Sequence, residues 1–143
     1  MATDYTILGK FRNKEKIDYL VSEIRKRGYS CYNFCDISAN IENPNDDPET
    51  QMQKHENTKD FWDDEYFHNI FKKDLQALRE AEKVIVLLPA GNAVHIEMGI
   101  AYALNKPLIL IGEVEKPETL YLIFKERYNS VEEFLSKLNK LKK

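Results

Sequence analysis

Two carboxylates stand where apolar residues dominate. In the stretch 93–104, AVHIEMGIAYAL, the only strongly polar side chains are His95 and Glu97. A surface helix carries a charged face, so a helix of this composition is expected to be buried, between the sheet and a second subunit. Glu97 falls in its first two turns, where the positive end of the helix dipole favours the ionised form. Gly99 in mid-helix costs about 1 kcal/mol relative to alanine, which is tolerable where another backbone packs close. Asp74 makes a parallel case. Phe67, Ile70, Phe71, Ala77, Leu78 and Ala81 form an apolar stripe, and Asp74 falls within it. Aspartate is seldom buried unless paired, although a satisfied aspartate at the edge of a helix face has the same sequence signature. Two carboxylates directed at one strand end supply what glycosyl transfer requires. One attacks or stabilises an oxocarbenium-like centre, and the other moves a proton to or from the leaving group.

Other chemical groups are less informative. His95 and Glu97 are two apart and share no helix face, and there is no HExxH, GxGxxG, Walker A or GxSxG motif. His55 and His68 are expected to be solvated. Cys31 and Cys35 do not make a four-ligand zinc site and read as packing residues of a reducing compartment.

The elements that must hold the carboxylates follow from periodicity. Strands are expected at 5–8, 29–34, 84–88, 108–111 and 126–128, helices at 13–27, 60–82, 93–104 and 118–123, and a final helix capped by Ser130. The final helix carries the stripe Val131, Phe134, Leu135, Leu138 and Leu141. Residues 37–59, polar with Pro44 and Pro48, read as a long loop, a candidate lid. Alternating strands and helices predict an α/β fold, a flavodoxin-like three-layer sandwich with a five-stranded parallel sheet in the order 2-1-3-4-5, in one domain spanning 1–143. Ligands of such sheets bind beyond the carboxyl ends of the strands, at the switch point between strands 1 and 3. The segments leaving those ends are Gly9-Lys10-Phe11-Arg12, Gly91-Asn92 and Gly112-Glu113. Three of the chain's five glycines are therefore at the expected site.

The chain has 143 residues with a net charge of −3, enough for a core without metals or disulfides. That charge argues against a nucleic-acid polymer as partner. It averages an acidic stretch, 36–65, with ten acids against two lysines, and a basic tail. No window is apolar enough to span a membrane, and the opening MATDYTILGK has no signal core. A cytoplasmic protein is expected.

The block FWDDEYFHNIFKKDLQALREAEKVIVLLPAGNAVHIEMGIAYALNKPLILIGE, with the opening ILGKFRN, resembles the nucleoside 2-deoxyribosyltransferase family, which includes nucleoside 5′-monophosphate N-glycosidases. The resemblance covers most of the chain and is weakest over 36–58. It implies a five-stranded parallel sheet, homodimers or larger assemblies, and no cofactor or metal. It implies that Glu97 is the nucleophile that attacks C1′ of the sugar, and that Asp74 handles the proton of the nucleobase. Gly9 matches the glycine closing strand 1, and Gly91 and Asn92 match the turn that faces the sugar. In relatives that act on 5′-monophosphates the loop after strand 1 holds the phosphate, a task that suits Lys10 and Arg12 beside Phe11. Two positions differ from the family pattern. Thr6 stands where the transferases carry a tyrosine that orients the nucleophile, with Tyr5 directed to the other side of the strand. The turn before Glu97 has Gly91-Asn92 in place of an aspartate, which leaves room for hydrolysis.

The expected activity is cleavage of the N-glycosidic bond of nucleosides or their 5′-monophosphates, with transfer to a second nucleobase or to water. Two alternatives stay open on sequence: cleavage of NAD or an NAD-derived molecule, and a non-catalytic nucleotide-binding module.

Overall fold

A computed structural model describes residues 2–35 and 47–141, the side chains of 140 and 141 excepted. The first part of the expected 37–59 loop and the side chain of Leu141 lie outside the described residues.

The chain runs β1 (Thr3–Leu8), α1 (Lys14–Lys26), β2 (Cys31–Asn33), α2 (Pro48–Glu56), α3 (Glu65–Glu80), β3 (Ala81–Leu87), α4 (Asn92–Ala103), β4 (Leu108–Ile111), β5 (Glu126–Tyr128) and α5 (Val131–Leu141). Short 3-10 turns cover Phe11–Asn13, Phe61–Asp63 and Thr119–Ile123. The five strands form one parallel sheet in the order β2-β1-β3-β4-β5, as the alternation of elements predicts. β1 and β3 are in register with Leu8 opposite Val86, so both strands end at the same level.

Each face of the sheet is covered by two helices. On one face Tyr5, Ile7, Ile85, Leu87, Ile109 and Ile111 pack against Ile17, Leu20 and Ile24 of α1 and Phe134, Leu135 and Leu138 of α5. On the other, Leu8, Val84, Val86, Leu108 and Leu110 pack against Leu78 of α3 and Val94, Met98 and Ala101 of α4. This alternation explains why β3 and β4 read as unbroken apolar runs: each has a buried neighbour on both sides. Ser130 caps α5 as expected, its Oγ accepting from the Glu133 amide at 3.1 Å.

Three expectations need correction. Residues 48–56 are not loop but the helix α2. Asp47 caps it, its carboxylate accepting from the Thr50 amide at 2.7 Å, and Pro48 occupies the first helical position, where it needs no amide partner. The helix expected over 60–82 is shorter at both ends. Asp60 takes a left-handed conformation with φ 55°, and Asp64 caps α3 by accepting from the Phe67 amide. At the other end Ala81 pairs with Thr3 and starts β3 three residues early. The expected stripe on α3 is also narrower, since Phe71 is 59% exposed. α4 buries Val94, Met98 and Ala101 against the sheet and leaves Ile96 and Tyr102 66% and 55% exposed on its other side, the side expected to meet a second subunit.

Candidate active site

A cavity of about 570 Å³ opens beyond the ends of β1 and β3. The strand order reverses there: the chain leaves β1 toward α1 on one face and β3 toward α4 on the other. Such a crevice is where open α/β sheets bind ligands, and the volume falls within the usual range for small-molecule sites.

Five segments line it. The β1 end supplies Gly9, Lys10, Phe11 and Arg12, and the β3 end supplies Gly91, Asn92, Ala93 and Val94, with Glu97 on the second turn of α4. From α3 come Tyr66, Ile70 and Asp74. Phe34, just after β2, and Gln51, Met52, His55 and Glu56 on α2 complete the wall. The structure thus brings together Gly9, Lys10, Phe11, Arg12, Asp74, Gly91, Asn92 and Glu97, whereas Gly112 and Glu113, also expected at the site, are not part of this lining.

The two loops approach one another closely. A methyl group at Gly91 would lie 3.3 Å from Cε of Lys10, so the lysine stem runs across this glycine. The close approach, and not a left-handed backbone, is what glycine provides here, since φ of Gly91 is −107°. At Gly9 a methyl would meet Ile17 at 3.0 Å and the Leu87 carbonyl at 3.4 Å.

Asp74 and Glu97 reach the cavity from neighbouring helices on the same face of the sheet. Burial pushes the Asp74 carboxyl up to about 6. Burial pushes Glu97 up to about 8, and the nearby Asp74 charge adds to the shift. The expectation that the helix dipole favours ionised Glu97 is therefore overturned. Glu97 lies past the first turn, where the dipole falls off, and desolvation of its charge is the stronger effect. The pair holds one proton in the interval between these two values.

Thr6 is buried against α3. Its Oγ1 donates to the Ala77 carbonyl at 3.4 Å. Tyr5 points to the opposite face, edge-on to Tyr29 and Phe134. His95 is outside the cavity lining; its ring nitrogens bond the Gly91 carbonyl at 2.7 Å and the Tyr121 hydroxyl at 2.9 Å. It therefore braces the turn that carries Gly91 against the 119–123 segment.

Sequence reasoning missed most of the apolar wall. His55, expected in solvent, is part-buried and stacks on Phe67 with ring centres 4.3 Å apart, and burial lowers its pKa. Tyr66 contributes a hydroxyl that is buried and has no hydrogen-bond partner among the described residues. Pro48 within a polar stretch was the available signal for α2, as a helix start. Arg12, expected as a phosphate ligand, is paired instead with Glu49 and Glu56 of α2. Among the described residues no group of three His, Cys, Asp or Glu is placed to hold a metal ion.

No protein-family model and no curated protein sequence matches the chain. Solved structures similar to it include two enzymes. One is the CMP N-glycosidase BcmB of Clostridium botulinum, with TM-score 0.55 and 20% identity over 95% of this chain and 98% of that one. The other is a 2-deoxyribosyltransferase from the psychrotolerant bacterium Bacillus psychrosaccharolyticus, with TM-score 0.61 and 15% identity over 92% of this chain and 90% of that one. Over nearly its whole length, then, the chain shares its five-stranded parallel α/β fold with a CMP N-glycosidase and a 2-deoxyribosyltransferase.

Proposed function

We propose that the chain cleaves the N-glycosidic bond of (deoxy)nucleosides or their 5′-monophosphates, and passes the sugar to another nucleobase or to water. The observation that carries this reading is the pair Asp74 and Glu97, two part-buried carboxylates that line one cavity, each with its pKa pushed up by burial. The fold shared with two enzymes of N-glycoside chemistry supports it.

The reaction needs one charge and one proton, and the singly protonated pair supplies both. The Glu97 carboxylate attacks C1′ as the bond from C1′ to the base nitrogen breaks. The electron pair of that bond goes to the base, and the proton of Asp74 follows it there. The glycosyl ester of Glu97 is then opened by water or a second base at C1′, which frees the carboxylate and returns a proton to Asp74. Burial favours the proton on Glu97, the group with the higher pKa, before substrate binds. Positive charge developing at C1′ beside Glu97 favours its ionised form, so the proton moves to Asp74 as the bond loosens. The aromatic and apolar wall of Phe34, Met52, His55, Tyr66 and Ile70 suits a planar base.

The decisive variant is Glu97→Ala, assayed for free base with deoxyinosine, dCMP and dGMP. Loss of at least about a thousandfold in kcat is expected; undiminished turnover overturns the mechanism. We also infer a homo-oligomer built on the exposed face of α4. Among the described residues nothing lies within 4 Å of a methyl placed at Gly99, and Ile96 and Tyr102 are exposed.

A further inference from the structure

We propose that Glu49 and Glu56 set the charge this cavity accepts: by holding Arg12 they close the site to 5′-monophosphates and commit it to the uncharged 5′-hydroxyl of a nucleoside. The proposal rests on reading the cavity as a nucleoside site and selects between the two substrate classes left open above.

Leaving Glu56 aside, the charged groups of the cavity fall at two ends. Its carboxylates Asp74 and Glu97 come from α3 and α4, and its cations Lys10 and Arg12 come from the β1 loop. A phosphate on the substrate must therefore go to the β1-loop end. There the guanidinium is already used on two sides. Arg12 Nε donates to Glu49 Oε2 and Nη2 donates to Glu56 Oε1. Glu49 and Glu56 are seven apart on α2, two turns along one helix face, so both reach the same arginine. Glu56 itself lines the cavity. With both pairs made, Lys10 and Arg12 are balanced by an equal number of carboxylates. A phosphate dianion entering here loses the bidentate arginine contact and meets two like charges. A hydroxyl meets no such opposition. The arginine in turn holds α2 against the Phe11–Asn13 turn, which keeps Met52 and His55 on the cavity wall.

The test is calorimetric titration of the full chain with ribose 5-phosphate, in wild type and in the double variant Glu49→Gln/Glu56→Gln. Glutamine keeps the length and the hydrogen-bonding oxygen while removing the charge. Ribose 5-phosphate is expected to bind the double variant about tenfold or more tighter than wild type, and adding Arg12→Ala is expected to abolish the gain. Equal affinity in wild type and double variant overturns the proposal, as does a gain that survives loss of Arg12. Should the double variant not fold by circular dichroism, each single variant is titrated instead, with a smaller gain expected from each and no gain from either overturning the proposal. Binding is read without turnover, so an inactive wild type defeats the glycosidase reading and leaves the charge measurement standing. With an active wild type, the ratio of kcat/KM for dCMP over deoxycytidine is expected to rise in the double variant by a similar factor.

Discussion

Asp74 and Glu97 are placed to titrate as one unit, and the rate should report it. Below about 6 both carboxyls are protonated and no nucleophile is present. Above about 8 both are ionised and no proton remains for the departing base. The expected pH profile of kcat/KM is therefore bell-shaped, rising through the lower value and falling through the upper one, both belonging to the pair. A profile flat from pH 5 to 9 would contradict the shared-proton site. These two residues were legible in the sequence because each is a charge set among apolar neighbours. His55, Met52 and Tyr66 were not: Met52 and His55 lie in a stretch whose composition reads as loop, and a ligand-facing tyrosine leaves the same trace in a single sequence as a packed one. Arg12 was legible as a cation, but its partners were not, since Glu49 and Glu56 reach it only once α2 has formed.

At the level of elements, α2 is the least self-sufficient part of the wall. Of its residues only Gln51 is fully buried; its place depends on Met52, the His55–Phe67 stack and the Arg12 pairs. Its start depends on the Asp47 cap. Asp47→Ala is expected to cost about 1 kcal/mol of local helix stability. Native-state hydrogen exchange should detect this as roughly fivefold faster exchange of the amides of 50–56, with little change in β3. The strands and the long helices could be read from periodicity because each has one face fixed by the core. α2 could not, because it has almost no apolar stripe and its proline reads as a loop signal. The ends of α3 were misplaced for a different reason. They depend on the Asp64 cap and on the register of Ala81 with Thr3, and the second of these is a long-range pairing that no local pattern contains.

The whole molecule leaves a considerable apolar surface uncovered. Ile96 and Tyr102 on α4 are exposed, as are Leu120 and Leu122 of the 119–123 turn at 75% and 73%. Exposed apolar area of this kind is expected to be covered in an assembly. Light scattering should give wild-type chain a mass of at least two copies, and Ile96→Glu should shift it toward one copy. A monomeric wild type would remove the homo-oligomer. The apolar composition of α4 was legible as burial on two sides, by the sheet and by a second subunit, and the single chain supplies only the first of these. No helix among the described residues is long and apolar enough to cross a membrane.

The strand β3 stands between the two carboxylates along the chain: Asp74 lies on the helix that enters it and Glu97 on the helix that leaves it. The covalent path between them is therefore a gauge. One residue added or removed between Asp74 and the end of α3 turns the aspartate about 100° around its helix, away from the cavity. One added within β3 reverses which side chains face each layer. Length changes elsewhere, as between β4 and β5, leave that gauge unaltered. Among descendants of this chain that keep the chemistry, the segment from 74 to 97 should tolerate exchange of residues but not a change in their number.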